Sequence, residues 1–346
     1  MTGFRGITAP SGWSRRSPTT YWPRQAGSTS SRSTLNGSCC RRGWRRGSSA
    51  SRGPRGSRGC GRSGTIPVSG YDLVVVSSHS CAINASPPPG TPCVCYCHTP
   101  MRYAWLTDTE RGRLGGARGQ VLGALSGWLR KQDRAAAQRP DRLVGNSTAV
   151  RDRIRRFYDR DAAVIHPPVE VEALRSDPAP ERGSFLWVGR LVPYKQPLLV
   201  AEAFRGLPQR LTMVGIGPQE EELRARLPEN VELRGWISRE ELEGLYRQAA
   251  GFIHVGEEDF GITMVEALAA GAPVIAQNAG GARDIVRDHI EGLLLDEPSV
   301  ETLRGAVERV AATEWDRQAL AERAAEFSRP RFVAAMRQLL AETMAP

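Results

Sequence analysis

The residues best suited to chemistry are two cations and two carboxylates in the second half of the chain. Arg190 and Lys195 follow an apolar run, and Glu258 and Glu266 flank the start of a helical pattern. A guanidinium can engage two phosphate oxygens at once, whereas an ammonium acts as a point charge. A carboxylate accepts hydrogen bonds from hydroxyl groups. The combination predicts binding of a sugar diphosphate, although each pair alone also fits a surface ion pair or an ordinary helical face.

Glycines accompany these charges at five successive predicted strand ends. Gly261 and Ile262 stand where a helix is expected to begin, so their backbone N–H groups can face a phosphate. A plain glycine turn explains any single one of these positions equally well. The residues expected to contact the sugar nucleotide are Gly189, Arg190, Lys195, Gly215, Gly217, Trp236, Gly261, Ile262, Glu266, Gly280 and Gly281.

The elements that must position these residues form a regular alternation of strands and helices. Apolar runs predict strands at 184–189, 210–215, 231–234, 251–255, 272–276 and 292–295. Helical patterns fall at about 197–206, 219–226, 238–249, 262–270 and 281–287, with others near 300–312, 316–326 and 329–343. Six strands with interleaved helices indicate a parallel, doubly wound α/β sheet. Ligands of such sheets bind outside the carboxyl ends of the strands, where the charged residues are expected.

A second α/β unit is predicted upstream. Strands are expected at 72–78, 93–97, 142–146 and 162–166, and helices at about 116–138 and 149–158, before a linker at His166-Pro167-Pro168. Cys93, Cys95 and Cys97 alternate along one strand and are interpreted as small core residues rather than metal ligands. The predicted domains are 1–70, 71–166, 167–327 and a C-terminal helix in 328–346 that packs back toward 71–166.

The first seventy residues have a different composition from the rest. Residues 1–71 contain thirteen Arg and neither Asp nor Glu, whereas the whole chain has a net charge of +10. The basic balance therefore belongs to this segment and does not indicate a basic face of the folded body. The segment could be a disordered tail that binds nucleic acid, a transit peptide, or a stretch translated out of frame, and we favour the last.

The motifs place the chain near a known family. The segments GRLVPYK at 189–195 and EDFGITMVEALAAGAPVIA at 258–276 resemble the retaining glycosyltransferases of family 4, group 1, which have the GT-B fold of two Rossmann-like domains facing a cleft. The segments CYCHTPMRYAW at 95–105 and VGNSTAVRDRIRRFY at 144–158 are similar to the often mannosyl-transferring members of that group. The resemblance covers about 71–346.

This resemblance implies roles for individual residues. Arg190 and Lys195 would hold the donor diphosphate, Glu266 the ribose and Glu258 the transferred hexose. His98 would contact the donor sugar or phosphate from the opposite domain, with Arg102 as a weaker candidate for the same cleft. The catalytic set is then His98, Glu258, Lys195 and Arg190. No metal and no cofactor are expected, since the donor is a nucleotide-diphosphate sugar, with GDP-mannose favoured.

The implied reaction is transfer of a hexose, mannose favoured, to a glycan or lipid-linked acceptor with retention of configuration. One alternative is an impaired homologue that only binds nucleotide sugar, because residues 1–70 do not resemble the family apart from a faint likeness of Thr2–Gly6 to its glycine-rich loop. The first domain would then lack its early strands. A nucleotide-sugar 2-epimerase of the same fold is another. We expect a cytoplasmic protein, peripheral at the inner face of a membrane if its acceptor is lipid-linked, with no nucleic-acid partner.

Overall fold

Two parallel β-sheets contain most of the strands that the computed structural model describes. The description covers residues 66–105, 116–175 and 183–345, with the backbone alone at 116–122 and 124. The predicted 1–70 segment, apart from its last five residues, and the Thr2–Gly6 loop within it lie outside this range. None of the described helices is long and apolar enough to cross a membrane.

The smaller sheet belongs to the first half of the described chain. Its strands and their neighbours are β1 (Ile66–Pro67), β2 (Val74–Ser78), β3 (Ala85–Ser86), β4 (Cys93–Cys97), β5 (Arg142–Gly145) and β6 (Ala163–Val164). Strands β2, β4, β5 and β6 pair in that order, all parallel, while β1 and β3 form a separate pair. The helices are α1 (Arg102–Trp105), α2 (Gly116–Ala136) and α3 (Thr148–Tyr158). Among the described strands, none pairs with the outer edge of β2.

One face of the smaller sheet packs against α3. Because side chains alternate along a strand, Cys93, Cys95 and Cys97 share one face, where they are buried with Val150 and Ile154 of α3. All three are free thiols, and burial raises the pKa of Cys93 to about 11. The interpretation of these cysteines as core residues is therefore confirmed.

The larger sheet contains the six predicted strands, each within two residues of its expected bounds. They are β7 (Phe185–Val188), β8 (Leu211–Val214), β9 (Val231–Arg234), β10 (Phe252–His254), β11 (Val274–Gln277) and β12 (Gly292–Leu295). Their order is β12-β11-β10-β7-β8-β9, and every pairing is parallel. The chain starts at β7 in the middle, moves out to β9, and returns to the other side at β10. Loops after β7 and β10 therefore diverge at a topological switch point, where open α/β sheets bind ligands.

Helices cover both faces of the larger sheet, as a doubly wound sheet requires. They are α4 (Pro197–Ala203), α5 (Glu220–Ala225), α6 (Arg239–Gln248), α7 (Ile262–Ala269), α8 (Ala282–Ile285), α9 (Val300–Ala312) and α10 (Arg317–Ala325). Buried residues of α4, α5 and α9 share one apolar core, and those of α6, α7, α8 and α10 share the other. Helix α4 ends earlier than predicted, and Gly206 then turns the chain with φ 75°.

The C-terminal helix α11 (Arg329–Met344) leaves the larger sheet and packs on the smaller one. Its Met336 is buried in one apolar cluster with Val94 and Val144, and Phe332 contacts Tyr96 edge-on at 5.8 Å between ring centroids. The opposite face of the smaller sheet, which the cysteines do not occupy, is thus covered by a segment distant in sequence. This contact ties the end of the chain to the first α/β unit.

Candidate functional site

Two oppositely charged residues meet where the loops after β7 and β10 approach one another. Lys195 ends the 3₁₀ turn Pro193–Lys195 after β7, and Glu258 lies in the loop between β10 and α7. Lys195 Nζ is 2.6 Å from Glu258 Oε1, and the two side chains are 16% and 26% exposed. Burial tends to raise the pKa of Glu258, but the charges of Lys195 and Arg102 help to hold it below its usual value, so the carboxylate is ionised at neutral pH.

A glycine permits this approach of the two loops. A Cβ atom at Gly256 would lie 2.6 Å from the carbonyl oxygen of Tyr194, which is closer than two such atoms can come. Backbone therefore packs against backbone beside the Lys195–Glu258 pair. Next to it, His254 at the end of β10 is fully enclosed, and burial lowers its pKa to about 4, so its imidazole is neutral at neutral pH.

Glu266 lies one turn into α7, and two side chains of α6 donate hydrogen bonds to its carboxylate. It is 8% exposed; its Oε1 accepts a hydrogen bond from Arg239 Nη1 at 2.6 Å and its Oε2 one from the Tyr246 hydroxyl at 3.0 Å. Each carboxylate oxygen has two lone pairs, so both can still accept a bond from a ligand hydroxyl. Sequence reasoning missed Arg239 and Tyr246, because nothing in the pattern of α6 marks either as a partner of α7.

Several predicted residues lie exposed along the same edge of the sheet. Arg190 is exposed and forms no ion pair with any residue that the structure describes. Trp236, after β9, is 70% exposed, and Ile262 is 46% exposed. Ile216, which was not predicted as a site residue, is also 46% exposed. An unpaired guanidinium is free to engage phosphate oxygens, and exposed aromatic and aliphatic side chains offer a surface to a planar base.

Helix α7 begins at this edge with a glycine. Gly261 is its N-cap with φ 98°, a left-handed conformation that favours glycine, and no side chain among the described residues caps the first turn. The first backbone N–H groups of a helix lack partners within the helix and carry a partial positive charge. The start of α7 can therefore contribute to binding an anion at this edge of the sheet.

The other predicted glycines have a structural reason that the sequence did not reveal. A Cβ atom would lie 1.8 Å from the Gly189 carbonyl oxygen at Gly215, and 2.4 Å from the Leu191 carbonyl oxygen at Gly217. We expected these glycines to contact the sugar nucleotide, and that stays a prediction. The contacts show that they let the loops after β7 and β8 touch, which shapes the site without requiring contact with a ligand.

Gly280 provides a test of this packing. It has φ 59°, and a Cβ atom there would lie 2.1 Å from the Glu258 carbonyl oxygen. We expect Gly280→Ala to lower the free energy of unfolding by about 2–4 kcal/mol, because both the backbone conformation and the contact disfavour a side chain. Gly244→Ala is the control, since Gly244 lies inside α6 with open space around it, and this change should stabilise by about 0.5–1 kcal/mol. Chemical denaturation of both variants measures the difference; equal stabilities would contradict the assignment.

The first domain contributes cations and a histidine near the acidic loop. His98, after β4, has its Nε2 2.9 Å from Ser77 Oγ. Burial, helped by the charge of His79, lowers the pKa of His98 against the opposing effect of Asp259. Arg102 Nη2 is 3.8 Å from Asp259 Oδ2. Both predicted residues thus lie on the side of the first domain that faces the loop after β10.

Arg153 also reaches this loop and was not predicted. It lies on α3 and pairs with both Glu257 and Asp259. In the sequence it is one of several arginines in RDRIRRF, a pattern typical of a solvated helix face, so no signal distinguished it.

A cavity of about 540 Å³ lies at the opposite edge of the larger sheet, at the amino ends of β7, β8 and β10. Arg210, Trp315 and Arg317 are among its lining residues. None of the predicted site residues lines it. The chemistry expected from the sequence therefore belongs to the carboxyl edge, and this cavity is a competing location for a ligand.

Two family models match adjoining parts of the chain. Residues 62–173 match the model described as Glycosyltransferase Family 4, and residues 172–327 match the model described as Glycosyl transferases group 1. The boundary between the two matches falls just after the predicted linker. Together they cover both α/β units.

Curated relatives match over part of their length. A D-inositol 3-phosphate glycosyltransferase of Mycobacterium sp. (strain JLS) is 31% identical over 218 residues, which is 54% of this chain and 49% of the relative. A GDP-mannose-dependent alpha-mannosyltransferase of Corynebacterium glutamicum is 35% identical over 156 residues, 43% of this chain and 37% of the relative. The matches thus span about half the length of these relatives or less.

Solved structures support the fold more broadly. The sucrose-phosphate synthase from Thermosynechococcus elongatus superposes with a TM-score of 0.63 and 20% identity, covering 79% of this chain and 73% of that protein. At this identity the likeness concerns the arrangement of the two α/β units.

Proposed function

We propose that this chain, which belongs to the group 1 glycosyltransferases of family 4 and has their GT-B fold, transfers a hexose from a nucleotide-diphosphate sugar. GDP-mannose is the favoured donor, because one curated relative is named as a GDP-mannose-dependent mannosyltransferase. We propose a glycan or lipid-linked acceptor and retention of configuration at the sugar. The chain would act in the cytoplasm, with peripheral contact at a membrane if the acceptor is lipid-linked.

The observation that supports this proposal best is the Lys195–Glu258 pair. A cation from the loop after β7 and a carboxylate from the loop after β10 meet at the switch point of the sheet, 2.6 Å apart and largely shielded from water. Arg190, on the same edge, forms no ion pair with the described part of the chain, and α7 begins there. A sugar diphosphate needs cations for its phosphates and acceptors for its hydroxyls, and these groups supply both.

The chemistry follows from how charge moves during transfer. The bond between the sugar and the β-phosphate breaks through an oxocarbenium-like state, while negative charge grows on the leaving diphosphate. Lys195, Arg190 and the first N–H groups of α7 would stabilise that charge before and during bond breaking. In this proposal the β-phosphate oxygen takes the proton of the acceptor hydroxyl, so no side chain acts as the base.

Donor binding would rearrange the Lys195–Glu258 pair. The diphosphate competes with Glu258 for the ammonium group, and the released carboxylate oxygens can then accept hydrogen bonds from hexose hydroxyls. Glu266 would accept from the ribose hydroxyls while Arg239 and Tyr246 keep its carboxylate in place. His98, neutral because of burial, would contact the sugar or phosphate from the first domain.

Calorimetry with three donors tests this proposal. The full chain is titrated with GDP-mannose, UDP-glucose and UDP-N-acetylglucosamine, and nucleotide release is followed for any donor that binds. We expect GDP-mannose to bind most tightly and to be turned over. Tightest binding of a UDP-sugar would reject mannose transfer, and binding of none of the three would reject the proposed function.

A second candidate is a homologue that binds nucleotide sugar without transferring it. The observation in its favour is the outer edge of β2, which pairs with no other described strand, so the first domain has four strands in its sheet. Donor binding without nucleotide release, with or without added glycan acceptors, would support this candidate. Both curated relatives described above are named as transferases, which favours transfer over the 2-epimerase alternative.

A further inference from the structure

The loop after β10 contains three consecutive carboxylates, Glu257, Glu258 and Asp259, beside the proposed diphosphate site. A sugar diphosphate is itself an anion, so carboxylates without counter-ions would repel it. Lys195 pairs with the middle one. The two outer carboxylates receive their counter-ions from the first domain.

Arg153 of α3 contacts both outer carboxylates. Its Nη2 donates to Glu257 Oε1 at 2.5 Å, and its Nη1 donates to Asp259 Oδ1. The Arg153 and Asp259 side chains are 15% and 20% exposed, so their contact is largely shielded from water, whereas Glu257 is 54% exposed. A guanidinium fork can hold two carboxylates in a fixed geometry, which a lysine cannot do.

The helix that carries Arg153 is fixed at its first turn. Ser147 caps α3 by accepting a hydrogen bond from Val150 N, and Thr148 N donates to Asp284 Oδ2 at 2.6 Å. His166 Nε2 is 3.1 Å from the same oxygen of Asp284. Since Asp284 belongs to α8 beside the larger sheet, α3 is docked on both α/β units. The guanidinium of Arg153 therefore reaches the loop from a helix whose first turn is fixed in place.

Arg153 and Lys195 hold the acidic loop from different sides. Glu257 and Asp259 contact Arg153, whereas Glu258 between them contacts Lys195. The backbone at Glu258 is further fixed because its carbonyl oxygen accepts a hydrogen bond from Gly281 N at 2.9 Å. The direction of the Glu258 side chain thus depends on contacts of its two neighbours.

We propose that Arg153 is a positioning residue: by bridging Glu257 and Asp259 across the two domains, it places Glu258 for the donor hexose. Together with Lys195 and with Arg102, which lies 3.8 Å from Asp259, it also neutralises the loop beside the diphosphate. The hexose part of this inference rests on the proposed function. The plain alternative is an ion pair that only adds stability and has no effect on the position of Glu258.

Hydrogen exchange in the ligand-free full chain tests the positioning step without a donor. In Arg153→Met, we expect exchange in the peptide covering 255–264 to rise about tenfold or more, because the loop opens more easily. Arg153→Lys should give an intermediate increase in the exchange of this peptide, since an ammonium group binds one carboxylate at a time. The control is Arg155→Met, because Arg155 lies on the same helix, is 75% exposed and pairs with Asp161 at 3.4 Å. Equal exchange in the Arg153→Met and Arg155→Met variants would overturn the inference.

Calorimetry with GDP and GDP-mannose tests the consequence for the hexose. If Arg153 places Glu258, Arg153→Met should weaken GDP-mannose binding about tenfold more than GDP binding, since GDP lacks the hexose. An unchanged ratio of the two dissociation constants would overturn the positioning of Glu258. Failure of the wild-type chain to bind either ligand would reject the proposed function instead, and the exchange result would still decide whether Arg153 holds the loop.

Discussion

Replacement of Lys195 by Met is expected to lower kcat/KM for donor turnover about 100- to 1,000-fold, as removal of a charged group that stabilises the transition state typically does. The variant removes the ammonium that the leaving diphosphate would contact and leaves Glu258 without its nearest cation. Nucleotide release from GDP-mannose measures the effect even before the acceptor is identified. Because the charge on the diphosphate grows as the bond breaks, kcat should fall more than donor affinity.

Lys131 provides a matched control. It is the only other lysine in the chain and lies exposed on α2. Lys131→Met removes the same charge from a site far in sequence from every predicted site residue, and its turnover should equal that of the wild type. Undiminished turnover in Lys195→Met would remove Lys195 from the site. Equal losses in both variants would point to an effect of net charge.

Replacement of Glu266 by Ala is expected to weaken GDP binding about 10- to 100-fold, which corresponds to the loss of charge-assisted hydrogen bonds to the ribose. The buried carboxylate also anchors Arg239 and Tyr246, so some stability will be lost with it. Arg239 is 46% exposed, and water can partly replace its lost partner. We therefore expect the free energy of GDP binding to fall by more than the free energy of unfolding.

The ribose contact can be separated from the structural role by changing the ligand. The wild-type chain should bind GDP more tightly than 2′,3′-dideoxy-GDP, which lacks the ribose hydroxyls. In Glu266→Ala this preference should disappear, whereas loss of a merely structural group would weaken both ligands equally. A preference that persists unchanged in the variant would show that Glu266 does not contact the ribose.

The secondary structure could be predicted from the sequence because it depends mainly on local patterns of residues. Strands such as β10 and β11 are continuous apolar runs buried on both faces, and glycine or polar residues end each run. The helical pattern at 238–249 predicts α6 in the same way, and the structure shows Ser238 as its N-cap. The topology follows because parallel strands need crossover helices. The edge at which Lys195 and Glu258 meet could therefore be predicted before any coordinates.

The contacts within the site could not be predicted in this way, since they depend on which side chains distant segments present to one another. Arg153 looks like its exposed neighbour Arg155, and only the docking of α3 on Asp284 separates their roles. Gly280 looks like a glycine that admits a ligand, but its packing against the Glu258 backbone accounts for it. The partners of Glu266 likewise follow from the distance between α6 and α7.

A crystal structure of the full chain with GDP tests most directly whether the carboxyl edge of the larger sheet binds a nucleotide diphosphate. We expect the diphosphate within hydrogen-bonding distance of Lys195 Nζ, at the start of α7, with Arg190 turned toward it. Nucleotide bound instead in the cavity near Arg210, Trp315 and Arg317, with the Lys195–Glu258 pair intact, would contradict it.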